Sequence, residues 1–410
     1  MKKFFALLLS LAMVLALVAC GQKDPTPDTP DTPDDPQTKV EYKVAMITDY
    51  GDITDQSFNQ TTYEACKAFA EDNSIEFSYF RPAGDNTADR VAMIEKAVDE
   101  GFNVIVMPGY AFGGAIVEAA PEFPDVKFIA LDVAAGDLLE TAVAKAGEAY
   151  DYTPENWDLN KYVDMSNVYC AVYQEELCGY MAGYAAVKLG YKNLGFLGGM
   201  SVPAVVRYGY GFVQGVDAAA ADLGLTDVKL NYIYGGQFFG DADITAVMDT
   251  WYQGGTEVVF ACGGGIYTSA VDAAKKVNAK VIGVDVDQAG VIAKYAGVDG
   301  MTVTSAMKGL YPATYDTLTD VIVNGNWEKY VGKIETLGLV SGTDPEANYV
   351  QIPMGNGTQW SDSFTQDDYK AMVKDMFDGK ITVSNNTSSD VSAADFATVI
   401  TVDDQGSIKG

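Results

Sequence analysis

The chain has 410 residues, with 27 lysines and arginines against 57 aspartates and glutamates and no histidine, so its formal charge is −30. Such an acidic surface repels phosphate backbones, whose neutralisation supplies most nucleic-acid affinity, and this argues against nucleic acid as a partner. Without histidine, the chain cannot use imidazole as a general base or as a metal ligand. Its hydrophobic fraction of 48% is that of an ordinary globular protein, and its length predicts two domains.

The N-terminal segment has the features of an export signal followed by a lipid attachment site. Two lysines precede an apolar run over residues 4–19, which is short for a membrane span and ends at Cys20. The junction LVACG (17–21) resembles a bacterial lipobox, and a simple export signal with an incidental Cys20 is the alternative. We therefore expect a signal peptide over residues 1–19 and lipidation of Cys20, which would anchor the protein at the extracytoplasmic face of the cell membrane.

A linker is predicted to follow the lipidated cysteine. Residues 23–38 read KDPTPDTPDTPDDPQT, a stretch of prolines and aspartates with nothing to bury. Such a segment stays extended and solvated, so it can hold a folded domain away from a membrane. We assign residues 20–40 to the lipidated cysteine and this linker.

The other cysteines are Cys66, Cys170, Cys178 and Cys262, an even number that permits disulfides in an exported protein. Their spacing selects no pairing, and buried free thiols are the alternative because Cys170 and Cys262 lie in apolar runs. The sequence has neither CxxC pairs nor histidines, so we expect no metal site. No motif predicts a cofactor.

From residue 42 onward, short apolar runs alternate with longer periodic stretches, which is the pattern of parallel sheets built from βαβ units. Continuously apolar strands indicate that helices cover both faces of each sheet. The predicted strands form a first series at 42–48, 75–80, 103–107 and 127–131, a second series at 168–173, 193–198, 228–234, 257–262 and 280–285, and a last strand at 301–305. We therefore predict an α/β protein with two doubly wound parallel-sheet lobes.

Each predicted lobe is assembled from two stretches of the chain. The N-terminal lobe comprises residues 41–165 plus 284–312, and the C-terminal lobe comprises residues 166–283 plus 313–383. Residues 384–410 are predicted to form a C-terminal tail.

Ligands of open parallel sheets collect at the carboxyl ends of the strands, so the residues after each strand are candidates for binding. These positions carry carboxylates, amides, aromatic rings, glycines and one lysine, which suits a flat, polar, uncharged ligand. The candidates at strand ends are Asp49, Asp132, Gly264, Asp285 and Lys308, with Phe58 and Asn59 at the start of the first helix.

These candidates have structural alternatives. Asp55 and Ser57 can serve only as caps of the first helix, and Phe58 can be a packing residue. The glycine run 263–265 can be only a tight turn between strand and helix. The glycines over 209–215 lack the spacing of a dinucleotide fingerprint and are predicted to serve helix packing.

Several motifs resemble those of the basic membrane protein lipoproteins, a family that includes purine nucleoside receptors of ABC transporters. The motifs are ITDYGDITDQSFNQ (47–60), FIALD (128–132), GFLGGMSVPAVVRYGYGFVQG (195–215), ACGGGIYTSAVDAAKK (261–276), VIGVDVDQ (281–288), TSAMKG (304–309) and FDGKITV (377–383). The resemblance implies a type I periplasmic-binding-protein fold, in which two lobes are joined by a hinge. It also implies that a nucleoside, expected to be a purine nucleoside, binds in the cleft between the lobes.

The resemblance assigns roles to individual positions. Those implied to contact the base are Asp49, Asn59 and Asp132, with Phe58 stacked on it, and those implied to hold the ribose are Asp285, Lys308 and the turn at Gly264. A second-lobe aromatic residue is also implied, for which Phe238 and Phe239 are both candidates. Ile266 and Tyr267 stand where the family has small residues, near the expected sugar.

The sequence therefore predicts a membrane-anchored, monomeric binding lipoprotein that is not an enzyme and that delivers a nucleoside to an ABC transporter permease. Carboxylates around a single lysine favour a nucleoside over a nucleotide because they repel phosphate. A sugar receptor of the same fold is the first alternative, since rings and carboxylates also form sugar sites. Alternatives from other classes are a nucleoside or glycoside hydrolase that uses Asp132 and Asp285 as acid and base, and an adhesin or sensor lipoprotein.

Overall fold

A computed structural model describes residues 41–409 of the protein. The predicted signal peptide (1–19), the lipidation site Cys20 and the linker up to residue 40 lie outside the described residues.

Strands and helices alternate along most of the described chain, as the apolar runs and periodic stretches predict. The strands are β1 (Lys43–Ile47), β2 (Glu76–Phe80), β3 (Val104–Pro108), β4 (Lys127–Leu131), β5 (Val168–Tyr173), β6 (Asn193–Gly198), β7 (Lys229–Tyr234), β8 (Val258–Cys262), β9 (Lys280–Asp285), β10 (Thr302–Lys308), β11 (Lys333–Leu337), β12 (Val350–Gln351) and β13 (Thr401–Ser407). The helices are α1 (Phe58–Asn73), α2 (Thr87–Asp99), α3 (Gly113–Ala119), α4 (Ala135–Lys145), α5 (Leu159–Tyr162), α6 (Glu175–Lys188), α7 (Pro203–Leu223), α8 (Ala242–Gln253), α9 (Tyr267–Val277), α10 (Ala289–Ala296), α11 (Leu310–Leu318) and α12 (Gln366–Phe377).

The strands form two sheets, each at the centre of one lobe. The first sheet has the order β11-β5-β4-β3-β1-β2 and is parallel throughout. The second has the order β12-β10-β9-β8-β6-β7-β13, in which only the short β12 is antiparallel to its neighbour. Central strands such as β3 and β8 are buried along their whole length. Each large apolar side chain buried there contributes about 1.5–3 kcal/mol, which holds the sheets between their helices.

Three strands lie in the opposite lobe from the one predicted. β5 was assigned to the C-terminal lobe but pairs with β4 in the first sheet, and β11 was assigned to the same lobe but pairs with β5. β10 was assigned to the N-terminal lobe but pairs with β9 in the second sheet. A short strand can pair in either sheet, so its membership depends on long-range pairing and not on its own composition.

The misplaced strands mark where the chain crosses between the lobes. It crosses after β5, after β10 and after β11, because α6 packs on α7 of the second lobe whereas α11 packs on α1 of the first. The crossings run side by side: the amide of Gln174 donates to the carbonyl of Leu337 at 3.0 Å, and that of Gly309 to Tyr349 at 2.6 Å. These three crossings join the two lobes.

Glycines bring α6 and α7 into close contact, which confirms the packing interpretation of the glycines at 209–215. A Cβ at Gly211 would lie 2.1 Å from the carbonyl oxygen of Glu176, and one at Gly215 would lie 2.1 Å from that of Tyr180. Only glycine allows the two backbones to approach so closely. The contact sets the start of α6 beside α7, and both helices contribute charges to the site.

The cysteines Cys66, Cys170, Cys178 and Cys262 are all buried free thiols. Burial raises the pKa of the Cys66 thiol well above its usual value, which keeps it protonated and unreactive. The sequence left disulfides and free thiols open for these four cysteines, and the structure contains free thiols.

Candidate functional site

A cavity of about 420 Å³ lies between the carboxyl ends of the two sheets. The site residues predicted from the sequence all line it: Asp49, Phe58, Asn59, Asp132, Phe238, Phe239, Gly264, Asp285 and Lys308. They converge because the carboxyl ends of parallel strands meet at one edge of each sheet, and the two edges face each other across the cavity.

The loop before α1 is held by its own acidic side chains. The Asp55 carboxylate accepts hydrogen bonds from the backbone amides of Ser57, Asn59 and Gln60 at 2.9–3.1 Å, which caps the first turn of α1. The alternative interpretation of Asp55 as a helix cap is therefore correct, although Asp55 also lines the cavity. Ser57, by contrast, makes no capping hydrogen bond with its side chain.

Asp49 and Asn59 form a mutually bonded pair on the first-lobe wall. The Asn59 amide Nδ2 donates to Asp49 Oδ1 at 3.0 Å, and the Asp49 backbone amide donates to Asn59 Oδ1 at 3.3 Å. Asp49 Oδ1 also accepts from the amides of Tyr50 and Gly51, both at 2.6 Å. One carboxylate oxygen is thus fully occupied by the loop, which fixes the side chain where it borders the cavity.

A buried charge cluster centred on Lys308 closes the inner end of the cavity. The ammonium contacts the carboxylate of Asp132 from the first lobe, and its Nζ lies 3.4 Å from Glu175 Oε1 and 3.8 Å from Asp285 Oδ1. The side chains of these four residues are each less than a tenth exposed. Buried charges need partners of opposite sign, so Lys308 neutralises part of the negative charge of these carboxylates.

Two members of this charge cluster were not among the predicted site residues. Arg207 Nε donates to Glu175 Oε2 at 2.7 Å, and the Glu175 side chain has no solvent exposure. Glu175 stands two residues after the end of β5, so it carries the same strand-end signal as the predicted site residues. Arg207 lies inside a helix and carries no strand-end signal, because only the close packing of α7 on α6 brings it to the site.

Asp132 combines strained backbone, burial and an unused acceptor. Asp132 and Asp285 have φ angles of 58° and 63°, in the left-handed region that residues other than glycine rarely adopt. Burial raises the pKa of Asp132 to about 7, although Lys308 opposes the shift. Among the described residues, Asp132 Oδ1 is buried without a hydrogen-bond partner. This oxygen can therefore accept a hydrogen bond from a ligand, or donate one when it is protonated.

Aromatic rings line the cavity from both lobes. The Phe58 ring centroid lies 4.8 Å from Lys308 Nζ, a cation–π contact that fixes one side of the ring. A Cβ at Gly199 would lie 2.4 Å from the Phe238 ring and one at Gly263 would lie 2.8 Å from it, so Phe238 lies directly on glycine backbone. Phe239 is 55% exposed and lines the same cavity. Phe238 is thus the more firmly held of the two second-lobe candidates.

Ile266 and Tyr267 are absent from the residues that line the described cavity. Ile266 is fully buried in the second-lobe core, where its side chain packs against Gly235. Tyr267 is 5% exposed and its ring stacks edge-on with Tyr295 at 5.9 Å between centroids. Neither side chain lines the cavity, because both turn inward at the start of α9.

The two lobes touch each other across the cavity. Ser57 Oγ donates a hydrogen bond to Asp285 Oδ2 at 2.5 Å, and Gln288 Nε2 donates to the Gln56 carbonyl at 3.2 Å. Tyr208 Oη donates to the other Asp285 oxygen at 3.2 Å. The lobes are therefore closed on each other at this edge.

The chain matches the family model described as ABC transporter substrate-binding protein, PnrA-like (Bmp), over residues 42–343. It is 26% identical over 392 residues to the ABC transporter nucleoside-binding protein BmpA of Lactococcus lactis subsp. cremoris, covering 92% of this chain and 96% of that protein. It is also 26% identical to an uncharacterized lipoprotein of Pyrococcus abyssi, covering 74% of this chain and 69% of the relative.

A solved ABC transporter solute-binding protein from Aeropyrum pernix superimposes with a TM-score of 0.63 at 18% identity, covering 85% of this chain and 95% of that one. At this identity the likeness shows the fold, which is the type I periplasmic-binding-protein fold that the sequence predicts. Among residues 41–409, the helices lack the combination of length and apolar character that crossing a bilayer requires.

Proposed function

This chain belongs to the Bmp family of ABC transporter substrate-binding proteins, and from that premise we propose that it captures a nucleoside, specifically a purine nucleoside, in the interlobe cavity. The observation that carries the proposal is the joint lining of one cavity by Phe58 from the first lobe and Phe238 from the second, together with the carboxylates of Asp49, Asp132 and Asp285. Rings supplied by both lobes suit a flat base, since base–aromatic stacking is worth about 1–3 kcal/mol per base.

The carboxylates suit the polar edges of the ligand. Carboxylates accept hydrogen bonds from purine N–H groups and from ribose hydroxyls. We assign base contacts to Asp49, Asn59 and Asp132, and ribose contacts to Asp285, Lys308 and the turn at Gly264. The unpartnered Oδ1 of Asp132 supports this assignment, because a buried acceptor without a partner costs roughly 1–3 kcal/mol until a ligand satisfies it.

The cavity charge favours a nucleoside over its phosphate ester. Asp49, Asp132 and Asp285 line the cavity, and Lys308 is already bonded to one of them and close to another. A phosphate group would meet these carboxylates, and the other cations of the lining, Arg207 and Arg81, are each already paired with a carboxylate. The volume of about 420 Å³ falls within the roughly 300–1,000 Å³ of small-molecule pockets. The name of the Lactococcus relative, a nucleoside-binding protein, supports the same ligand class.

We also propose that the protein works by hinge closure on the outer face of the membrane. Ligand binds between open lobes, the crossings near Gln174 and Gly309 flex, and the closed form docks on a permease. Lipidation at Cys20 holds the monomer at the membrane, which the naming of a relative as a lipoprotein supports. The protein delivers its ligand unchanged, so product analysis after incubation with nucleosides should recover only the starting compound.

Isothermal titration tests the ligand class. Protein refolded from denaturant, and so freed of any carried ligand, is titrated with adenosine, guanosine, inosine, cytidine, uridine, ribose and guanosine 5′-monophosphate. We expect the purine nucleosides to bind most tightly and the monophosphate to bind much more weakly than guanosine. Tighter binding of ribose than of any nucleoside would instead identify a sugar receptor.

A further inference from the structure

The segment 384–409 packs on α7 and β7 and ends against the loop that carries Phe238 and Phe239. Its path is fixed by the Asp217 carboxylate of α7, which accepts hydrogen bonds from the backbone amides of Thr398, Val399 and Ile400 at 2.8–3.1 Å. β13 then pairs in parallel with β7, and the amide of Ile408 donates to the Tyr234 carbonyl at 2.8 Å. The predicted C-terminal tail is thus a packed edge of the second sheet.

The chain after β13 ends against the loop that carries the second-lobe aromatic rings. We define the aromatic loop as residues 236–241, from Gly236 to the cap of α8. A Cβ at Gly236 would lie 2.7 Å from the carbonyl oxygen of Lys409, and Gly236 has a φ of +80°. Only glycine tolerates both the close approach and the backbone angle. The backbone at Lys409 therefore packs directly on the start of the aromatic loop.

The Lys409 side chain bridges both ends of the aromatic loop. Its ammonium donates to Gln237 Oε1 at 2.8 Å and forms an ion pair with the Asp241 carboxylate. Gln237 Nε2 in turn donates to Asp241 Oδ2 and to the Phe239 carbonyl, both at 2.9 Å. Asp241 Oδ1 is occupied by the amide of Ile244 as the cap of α8. Phe238 and Phe239 lie between the two residues that Lys409 ties together.

From this arrangement we infer that Lys409 is a positioning residue for the ligand cavity, because it fixes the loop that presents Phe238 and Phe239. Lys409 does not line the cavity, so it acts through the rings and not by touching a ligand. Ordering a loop upon ligand binding costs free energy, so a contact that orders the aromatic loop beforehand raises binding affinity. The consequence for affinity rests on the proposed function, whereas the consequence for loop order does not.

Hydrogen exchange on the ligand-free, full mature chain tests the loop directly. In Lys409→Met we expect the amides of residues 236–241 to exchange about three- to tenfold faster than in the wild type, with other segments unchanged, as expected for losing a partly exposed ion pair together with an ordinary hydrogen bond. Lys409→Arg should restore slow exchange. Lys380→Met, which removes an exposed lysine paired with Asp375, is the matched control and should change nothing in this loop. Unchanged exchange in Lys409→Met would overturn the inference.

Titration with guanosine and adenosine tests the link to the cavity. Lys409→Met should bind both about three- to tenfold more weakly, and the effect should disappear in a Phe238→Ala/Phe239→Ala background, because residues that act as a unit are not additive. An equal loss in that background would show that Lys409 does not act through the rings. If the wild type binds neither nucleoside, the proposed function fails, and the exchange experiment still decides the role of Lys409.

Discussion

Ser57 Oγ donates a 2.5 Å hydrogen bond to Asp285 Oδ2, so the first residue before α1 touches the last residue of β9 across the cavity. Both side chains are buried, and Asp285 also accepts from Tyr208. A carboxylate assigned to the ribose is therefore also a contact between the lobes. Substitutions of the two partners should separate these roles.

Asp285→Ala should weaken binding of nucleosides more than binding of their 2′,3′-dideoxy analogues. The carboxylate is proposed to accept from ribose hydroxyls, and such a bond is worth roughly 1.5–3 kcal/mol, which the dideoxy compounds cannot lose. Ser57→Ala is the matched control: it removes the same interlobe bond and should weaken both ligands equally. Isothermal titration of both variants with both ligands measures the difference. Equal losses of affinity for both ligands in Asp285→Ala would show that Asp285 does not bind the ribose hydroxyls.

Phe58→Ala should weaken binding of every nucleoside by roughly 1–3 kcal/mol, with little change in base preference. The substitution removes a stacking face that all bases share. Phe58→Tyr keeps the face and should retain most of the affinity. Titration with adenosine, guanosine and uridine measures both quantities, and a loss confined to one base would contradict a purely stacking role.

Arg207→Met should destabilise the fold by about 3–5 kcal/mol, because it leaves the fully buried Glu175 carboxylate without its closest cation. Arg81 also lines the cavity, but its ion pair with Asp52 is about half exposed on both sides. Arg81→Met should therefore cost at most about 1 kcal/mol. Urea unfolding of the two variants gives the comparison, and similar losses would mean that the buried pair has no special role in stability.

The free energy of unfolding should fall as the pH rises from about 4 to about 7. Burial raises the pKa of Asp132, Asp137 and Glu176 each to about 7. A carboxyl group with a raised pKa in the folded state binds protons more tightly than in the unfolded chain, so stability is lost as it ionises and is level above the folded pKa.

Urea unfolding at pH 5 and pH 8 measures this dependence, and the protein should be more stable at pH 5. Asp137→Asn should reduce the difference, since it removes one of the three groups. Asp151→Asn is the control, because hydrogen bonds from Asn156 and Trp157 lower the pKa of Asp151 and move its titration out of this range. Greater stability at pH 8 would show that these carboxyl groups do not control the dependence.

Cys20→Ala should block lipid modification and move the mature protein from the detergent phase to the aqueous phase in Triton X-114 partitioning. The diacylglyceryl group that the lipobox-like junction predicts is the proposed membrane anchor. Cys66→Ala, at a buried thiol in α1, should leave partitioning unchanged. A Cys20→Ala protein that stays in the detergent phase would contradict the lipoprotein assignment.

The two-lobed α/β architecture, the positions of β1 to β10 along the chain and part of the cavity lining follow from the sequence alone. Parallel strands end at one edge of their sheet, so Asp49, Asp132, Asp285 and Lys308 could be placed together without knowing which strands are neighbours. The end of each strand can be located from the local sequence pattern, so the residues that meet at this edge can be predicted locally.

Only the tertiary structure decided which distant segments of the chain meet at that edge. β5 and β10 are short, largely buried strands that could pair in either sheet, so long-range pairing placed them. Arg207 reaches Glu175 because helix packing brings α7 onto α6, and Lys409 reaches Asp241 across 168 residues of sequence. Contacts of this kind depend on the summed packing of the whole fold, which no local pattern of residues encodes.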